Sequence, residues 1–280
     1  MGRAGIGFLL RVGAIAAGVA VVSLLPVGRA DDTKPGAKAP DVGDDTLKAE
    51  LLKFNRPSNK EQLRTKLFAF IKDKERAKKG VALAYKLQKA AKGEDKPFNL
   101  NGALGIGEVA ILVKEYKAAE YFLEYAIEAG TKLESGEKLV QAYDGLIALY
   151  WEQKRYQDVI DVCERFNELT GPEEVLVDRP FKLERLVQAK ARQGNTNEAL
   201  RITESLIQLD EGGWYFVQLK GWVQREAGKI DDSIETYLDV IDKLEAAKRI
   251  PREQKDRLKD RMRYVLSGLY VDNNVVEKAI

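Results

Sequence analysis

Residues 143–172 read YDGLIALYWEQKRYQDVIDVCERFNELTGP. An apolar stretch carrying Leu146 and Ile147 gives way to the polar turn Lys154-Arg155-Tyr156-Gln157. A second apolar stretch then runs through Val159, Cys163 and Phe166. Apolar residues three and four apart on both sides of a short polar break predict two helices folded back on each other. The strict alternation that marks a half-buried strand is absent from Thr46 onward.

The same layout recurs on both sides. Residues 103–130, ALGIGEVAILVKEYKAAEYFLEYAIEAG, break at Lys114-Glu115-Tyr116-Lys117. Residues 183–210, LERLVQAKARQGNTNEALRITESLIQLD, break at Gly194-Asn195-Thr196-Asn197, and residues 217–244, VQLKGWVQREAGKIDDSIETYLDVIDKL, at Gly228-Lys229-Ile230-Asp231. A small or branched residue follows each turn at one offset: Ala119, Val159, Ala199 and Ser233. A further copy opens at residues 261–280, RMRYVLSGLYVDNNVVEKAI, with Ala279 in that place. A single hairpin of this size leaves an apolar face uncovered, and stacking hairpins buries each face against its neighbour. The expected fold class is therefore all-α, an α-solenoid of stacked helix–turn–helix hairpins over residues 46–280, clearest from about residue 100 onward.

These units resemble the tetratricopeptide repeat (TPR) family, whose unit is a 34-residue helix–turn–helix. With the small residue after the turn set as position 20, position 8 is Gly107, Ile147, Val187, Gly221 and Ser267. Position 7 is Ile106, Leu146, Leu186, Lys220 and Leu266. Position 24 is Leu123, Cys163, Thr203 and Tyr237, and position 27 is Ala126, Phe166, Leu206 and Val240. Lys220, Ile147 and Phe166 depart from the family's preferred types. The position-20 residues are separated by steps of 40, 40, 34 and 46, so the other units need longer helices or longer connections, such as TKLESGEK and TGPEEVLVD. A looser copy is EQLRTKLFAFIKDKERAKKGVALAYKLQKA, residues 61–90, with Leu67, Ile71, Val81 and Leu87 inward. Because Ile280 falls inside the expected second helix of the fifth unit, the sequence is read either as truncated or as leaving an open end for a partner.

The resemblance implies a groove lined by the first helices, at positions 2, 5, 9, 12 and 13 of each unit. Here those positions include Asp144, Trp151, Glu152, Phe181, Glu184, Gln188, Arg192, Tyr215, Gln218, Trp222, Arg225, Arg261 and Tyr264. Trp, Tyr and Arg are enriched at interface hot spots. The expected partner-binding residues are accordingly Asp144, Trp151, Glu184, Gln188, Arg192, Gln218, Trp222, Arg225 and Tyr264, and the expected ligand is a protein or peptide. The competing reading packs Trp151 and Trp222 between helices. Family members that clamp a chaperone's C-terminal carboxylates use Lys and Asn at positions 5 and 9. No unit here supplies that pair, from Asp144 and Ala148 to Gln218 and Trp222.

Residues 1–30, MGRAGIGFLLRVGAIAAGVAVVSLLPVGRA, have the layout of an export signal. Arg3 and Arg11 precede an uncharged run from Val12 to Leu25, and Gly28 and Ala30 stand at the −3 and −1 positions. The run is shorter than the ~20 residues that span a bilayer, which favours cleavage over an anchor. Residues 31–45, DDTKPGAKAPDVGDD, read as a solvated linker. The expectation is an exported chain, periplasmic or envelope-associated.

The formal charge of +2, from 46 basic and 44 acidic residues, gives no reason to expect a nucleic-acid partner. No histidine is present, which removes the usual general base and the commonest zinc ligand. Cys163 is the one cysteine, read as a buried core thiol, and no cofactor or metal is called for. Gly105-Ile106-Gly107-Glu108-Val109-Ala110 spells a dinucleotide fingerprint, but no strand precedes it and Gly107 is already explained by helix packing. The basic stretches Arg64 to Lys79 and Lys248 to Arg263 interleave acids at helical spacing and read as solvated faces. Nucleic-acid binding is the sharper alternative, disfavoured by the export-like start and the lack of interleaved aromatics, and contact with anionic lipid headgroups fits an exported chain better. Two other functions stay open: a structural module of an envelope assembly or homo-oligomer, and an enzyme using Asp144, Glu152 and Glu184 in one groove.

Overall fold

The computed structural model describes residues 43–56, 69–91, 93–170, 180–209, 213–248 and 250–275. The expected export signal, residues 31–42 of the expected linker, the connection after Thr170, Leu67, Ala279 and the side chain of Phe181 lie outside the described residues. All regular structure among the described residues is helical. The helices are α1 (Asp44–Leu52), α2 (Lys74–Ala90), α3 (Leu100–Leu112), α4 (Tyr116–Lys132), α5 (Gly136–Glu152) and α6 (Tyr156–Thr170). They continue as α7 (Pro180–Arg192), α8 (Thr196–Leu209), α9 (Trp214–Glu226), α10 (Ile230–Ala246) and α11 (Arg252–Asp272). Each helix from α3 onward packs on the next, and the first helices of successive hairpins also touch: α3 with α5, α5 with α7, α7 with α9. The molecule is an all-α solenoid of hairpins α3/α4, α5/α6, α7/α8 and α9/α10, with α11 opening a fifth.

One turn chemistry makes all the hairpins. After α3 the Lys114 N–H reaches the Ile111 carbonyl at 3.0 Å and the Glu115 N–H the Ala110 carbonyl at 2.8 Å, with Lys114 at φ 64°. This is the Schellman pattern, which satisfies the last carbonyls of a helix through one left-handed residue. Lys154 (φ 57°), Gly194 (85°), Gly228 (73°) and Asn274 (57°) repeat it at the ends of α5, α7, α9 and α11. The position-20 residue then makes the first i→i−4 bond of the next helix: Ala119 to Glu115, Val159 to Arg155, Ala199 to Asn195 and Ser233 to Lys229. The fixed offset in the sequence thus has a backbone cause.

The same cap, centred on Glu134 (φ 50°), also joins α4 to α5. TKLESGEK is therefore no extended connection; the 40-residue step comes from α4 and α5, each 17 residues long. The linker likewise yields earlier than expected: α1 begins at Asp44, with Asp44 and Asp45 in its first turn where the helix dipole favours acids.

The layer inside each hairpin is apolar and close-packed. Ala119, Val159, Ala199 and Ser233 are fully buried, as are Leu123, Cys163, Thr203 and Tyr237 at position 24. A Cβ at Gly107 would stand 3.0 Å from Leu123, and one at Gly221 3.0 Å from Tyr237, so both glycines are demanded by close approach. Ser233 spends its hydroxyl on the Gly221 carbonyl at 2.8 Å, and Thr203 on the Ala199 carbonyl at 2.7 Å. Ile147 and Phe166 depart from type yet are buried, whereas Lys220 reaches the hairpin edge and pairs with Glu204 at 3.0 Å.

Ahead of the hairpins, α1 and α2 pack on each other and on α3. Leu47, Leu51 and Phe54 are buried there, together with Ala77, Val81 and Ala84 of α2, while Ile71 and Leu87 are only half-buried against that core. Two polar clasps hold this end. The buried Gln88 amide donates to the Phe98 carbonyl at 3.0 Å and accepts from its N–H at 2.9 Å. Asn55 and Asn99 bond each other's backbone at 3.1 and 3.0 Å, and the Asn99 side chain caps α3.

Candidate functional site

Gly107 and Gly221, at position 8 of α3 and α9, face the second helices of their own hairpins. The positions expected to bind lie to one flank of this line, and several of them reach the neighbouring first helix. Asp144 on α5 accepts from Lys182 on α7 at 2.5 Å. The Lys182 side chain is 1% exposed, with its ammonium 4.4 Å over the Phe166 ring, while Asp144 remains 40% exposed. The pair bridges the second and third hairpins.

Further along α5, the half-buried Trp151 ring meets Tyr156 edge-on at 5.3 Å and carries the Arg185 guanidinium 4.4 Å above it. Burial pulls the Arg185 pKa below its ordinary value. Arg185 donates to Gln188 at 3.1 Å, Gln188 donates to Glu184 at 2.8 Å, and the Tyr215 hydroxyl of α9 donates to Glu184. Burial first, and Glu184 second, push the Tyr215 phenol far above its usual range. Arg192 then pairs with Glu226 at 3.0 Å and lies 5.5 Å over the Trp222 ring. Arg225 pairs with Asp272 of α11 at 2.9 Å.

From α5 onward the expected residues therefore form a ladder in which each first helix is linked to the next. Asp144, Trp151, Glu184, Gln188, Arg192 and Arg225 all take part in it. Trp222 is half-buried beneath Arg192, and Gln218 is half-buried on the same helix. Tyr264 differs: it is 80% exposed on α11. Trp151 and Trp222 are both half-buried, each with an arginine of α7 over its ring. Lys182 and Arg185 were missed because they stand at positions 3 and 6, off the pattern used to choose candidates. Their partners, Asp144 and Trp151, lie 38 and 34 residues away on α5, so no local pattern marked them.

The carboxylates offered for catalysis are each held by a different donor. Asp144 is held by Lys182, Glu152 by the Tyr116 hydroxyl at 2.9 Å, and Glu184 by Tyr215. Cys163 is 1% exposed, and burial pushes its thiol pKa up to about 12, so it stays protonated and unreactive in the folded chain. The dinucleotide-like spelling lies in the interior of α3, where its N–H groups belong to the helix and cannot cradle a phosphate. In the stretch Lys248 to Arg263, the cations pair at helical spacing: Arg257 with Glu253, Lys259 with Asp256 and Arg263 with Asp260.

Among the described residues, no cluster of His, Cys, Asp or Glu is arranged to hold a metal ion, and no helix is long and apolar enough to cross a membrane. No protein-family model matches the chain, and no curated protein matches its sequence.

Proposed function

We propose that the chain is an exported scaffold of the tetratricopeptide type that binds a protein or peptide along its first-helix face. The observation that carries this reading is the run of aromatic and arginine side chains on that face, from Trp151 through Arg185, Arg192 and Trp222 to Arg225 and Tyr264. Guanidinium groups laid on indoles are pre-ordered, so binding through them loses less side-chain entropy than binding through free arginines. The resemblance to the repeat family and the export-like first thirty residues support the same reading, and the spread of the carboxylates over separate donors speaks against an enzyme.

The test is selection of peptides from a displayed library on the full chain and on a Trp151→Ala/Trp222→Ala/Arg225→Ala variant that keeps its helical circular dichroism. Peptides enriched on the parent alone are the expected result. Equal enrichment on both would overturn the reading.

A further inference from the structure

In the fourth hairpin one hydroxyl of the inner layer is left over. Thr203 and Ser233 give theirs to backbone carbonyls, at 2.7 and 2.8 Å. Tyr237 of α10 stands in the same layer and is 3% exposed, yet among the described residues its hydroxyl has no hydrogen-bond partner. The unpartnered side-chain atoms sealed from solvent belong to Arg76, Arg165 and Asn167; the Tyr237 oxygen is not one of them, so it keeps a narrow contact with solvent. A donor held in this way is satisfied only by what reaches it from outside.

Two helices bring arginines to this hydroxyl. A Cβ at Gly221 would stand 3.0 Å from the Tyr237 ring, so the ring lies against the backbone of α9. Arg225 is one turn further along α9, and a helical side chain leans back over the turn before it, here the turn of Gly221. From the other side, Tyr237 packs in one cluster with Met262 and Leu266 of α11, beside Arg261. The charges acting on the phenol are the guanidiniums of Arg225 and Arg261; burial outweighs both and raises its pKa to about 12, so the hydroxyl remains a donor. The two arginines differ in their partners. Arg225 is bound to Asp272 at 2.9 Å, as Arg192 is to Glu226 at 3.0 Å. Arg261 is exposed and, among the described residues, has neither an ion pair nor a hydrogen bond.

A guanidinium without an acid and a buried hydroxyl without an acceptor lack the same group, a carboxylate. We propose that the gap between α9 and α11 is an acid-reading subsite, in which a glutamate or aspartate side chain of a bound peptide accepts from the Tyr237 hydroxyl and pairs with Arg261, while Arg225 stays with Asp272. This rests on the reading of the first-helix face as the peptide-binding surface, and it names what the peptide carries at that end.

The test is an NMR titration of the full chain, labelled with nitrogen-15 in its arginines, at physiological salt. The probes are the blocked tripeptides acetyl-Gly-Glu-Gly-amide and acetyl-Gly-Gln-Gly-amide, and the Arg261→Gln variant assigns the Arg261 side-chain signal. The glutamate peptide should shift that signal saturably and the glutamine peptide should not. Tyr237→Phe should keep its midpoint in chemical denaturation, since the hydroxyl holds nothing in the free chain, yet bind the glutamate peptide about tenfold more weakly, the loss of one hydrogen bond to a charged group. No saturable shift, an equal shift with the glutamine peptide, parent-like binding by Tyr237→Phe, or a lowered midpoint in that variant would each overturn the proposal. A tripeptide does not need the rest of the face, so this titration and the peptide selection can fail separately. Selected peptides that bind the first-helix face without an acidic residue would leave that face standing and overturn the subsite alone.

Discussion

The layer inside the hairpins and the face between first helices are built from the same helices by opposite means. The inner layer is apolar, and its polar members, Ser233 and Thr203, spend their hydroxyls on backbone carbonyls. The first-helix face is a chain of side-chain contacts: Asp144–Lys182, Arg185–Trp151, Tyr215–Glu184, Arg192–Glu226 and Arg225–Asp272. Burial with close approach dictates residue size, and that constraint repeats with the unit. Pairing across a gap dictates only that some partner exist, and the partner's position drifts from unit to unit. The inner layer therefore sets the fold, and the first-helix ladder links neighbouring hairpins.

Substitutions should separate the two regions. The largest effect is expected in the inner layer. Ala199→Leu forces extra volume into a fully buried contact and should cost about 1–3 kcal/mol, read as a lower midpoint in chemical denaturation. An unchanged midpoint would contradict the register of the third hairpin.

On the ladder, Asp144→Ala leaves a buried ammonium short of its carboxylate. The expected loss is about 1–2 kcal/mol, below the fully buried case because Asp144 keeps contact with water. Lys182→Met retains the packed stem and should be close to neutral. Asp144→Ala made in that background should then cost little, and a double-mutant cycle checks this coupling.

A third effect returns to the inner layer. The Cys163 thiol is raised from its ordinary 9.0 to about 12 and the Tyr237 phenol to about 12, both by burial. A raised pKa means that the folded chain holds its proton where the unfolded chain has lost it. Stability should thus fall as pH rises from about 9 toward 12, with a limiting slope of about 1.4 kcal/mol per pH unit for each group. Denaturation midpoints across that window should decline less steeply in Cys163→Ala.

The smallest effects belong to the turns. Lys154→Gly relieves a left-handed residue and should stabilise by about 0.5–1 kcal/mol, and Gly194→Ala should destabilise by a similar amount. Thermal melts of the two variants should shift in opposite directions.

The same contrast explains what could be read in advance. The offset from turn to Ala119, Val159, Ala199 and Ser233 was visible in the sequence because a single backbone cap enforces it. That Lys114, Lys154 and Glu134 serve where Gly194 and Gly228 stand elsewhere hid the cap itself, and let the α4–α5 junction pass as a long connection. Gln88 and Asn55 gave no periodic signal, since each is fixed by a partner 10 to 44 residues away. On the ladder, Trp151, Arg192 and Trp222 were chosen by residue type. Lys182 and Arg185 needed the superposition of two helices to be seen.

Hydroxyl-radical footprinting of the full chain with a selected peptide tests the central claim most directly, because it reports side chain by side chain. The account predicts protection of Trp151, Trp222 and Tyr264 on the first-helix face, with Tyr121 and Tyr125 on the outer side unchanged. Protection of Tyr121 and Tyr125, with Trp151, Trp222 and Tyr264 as reactive as in the free chain, would contradict it.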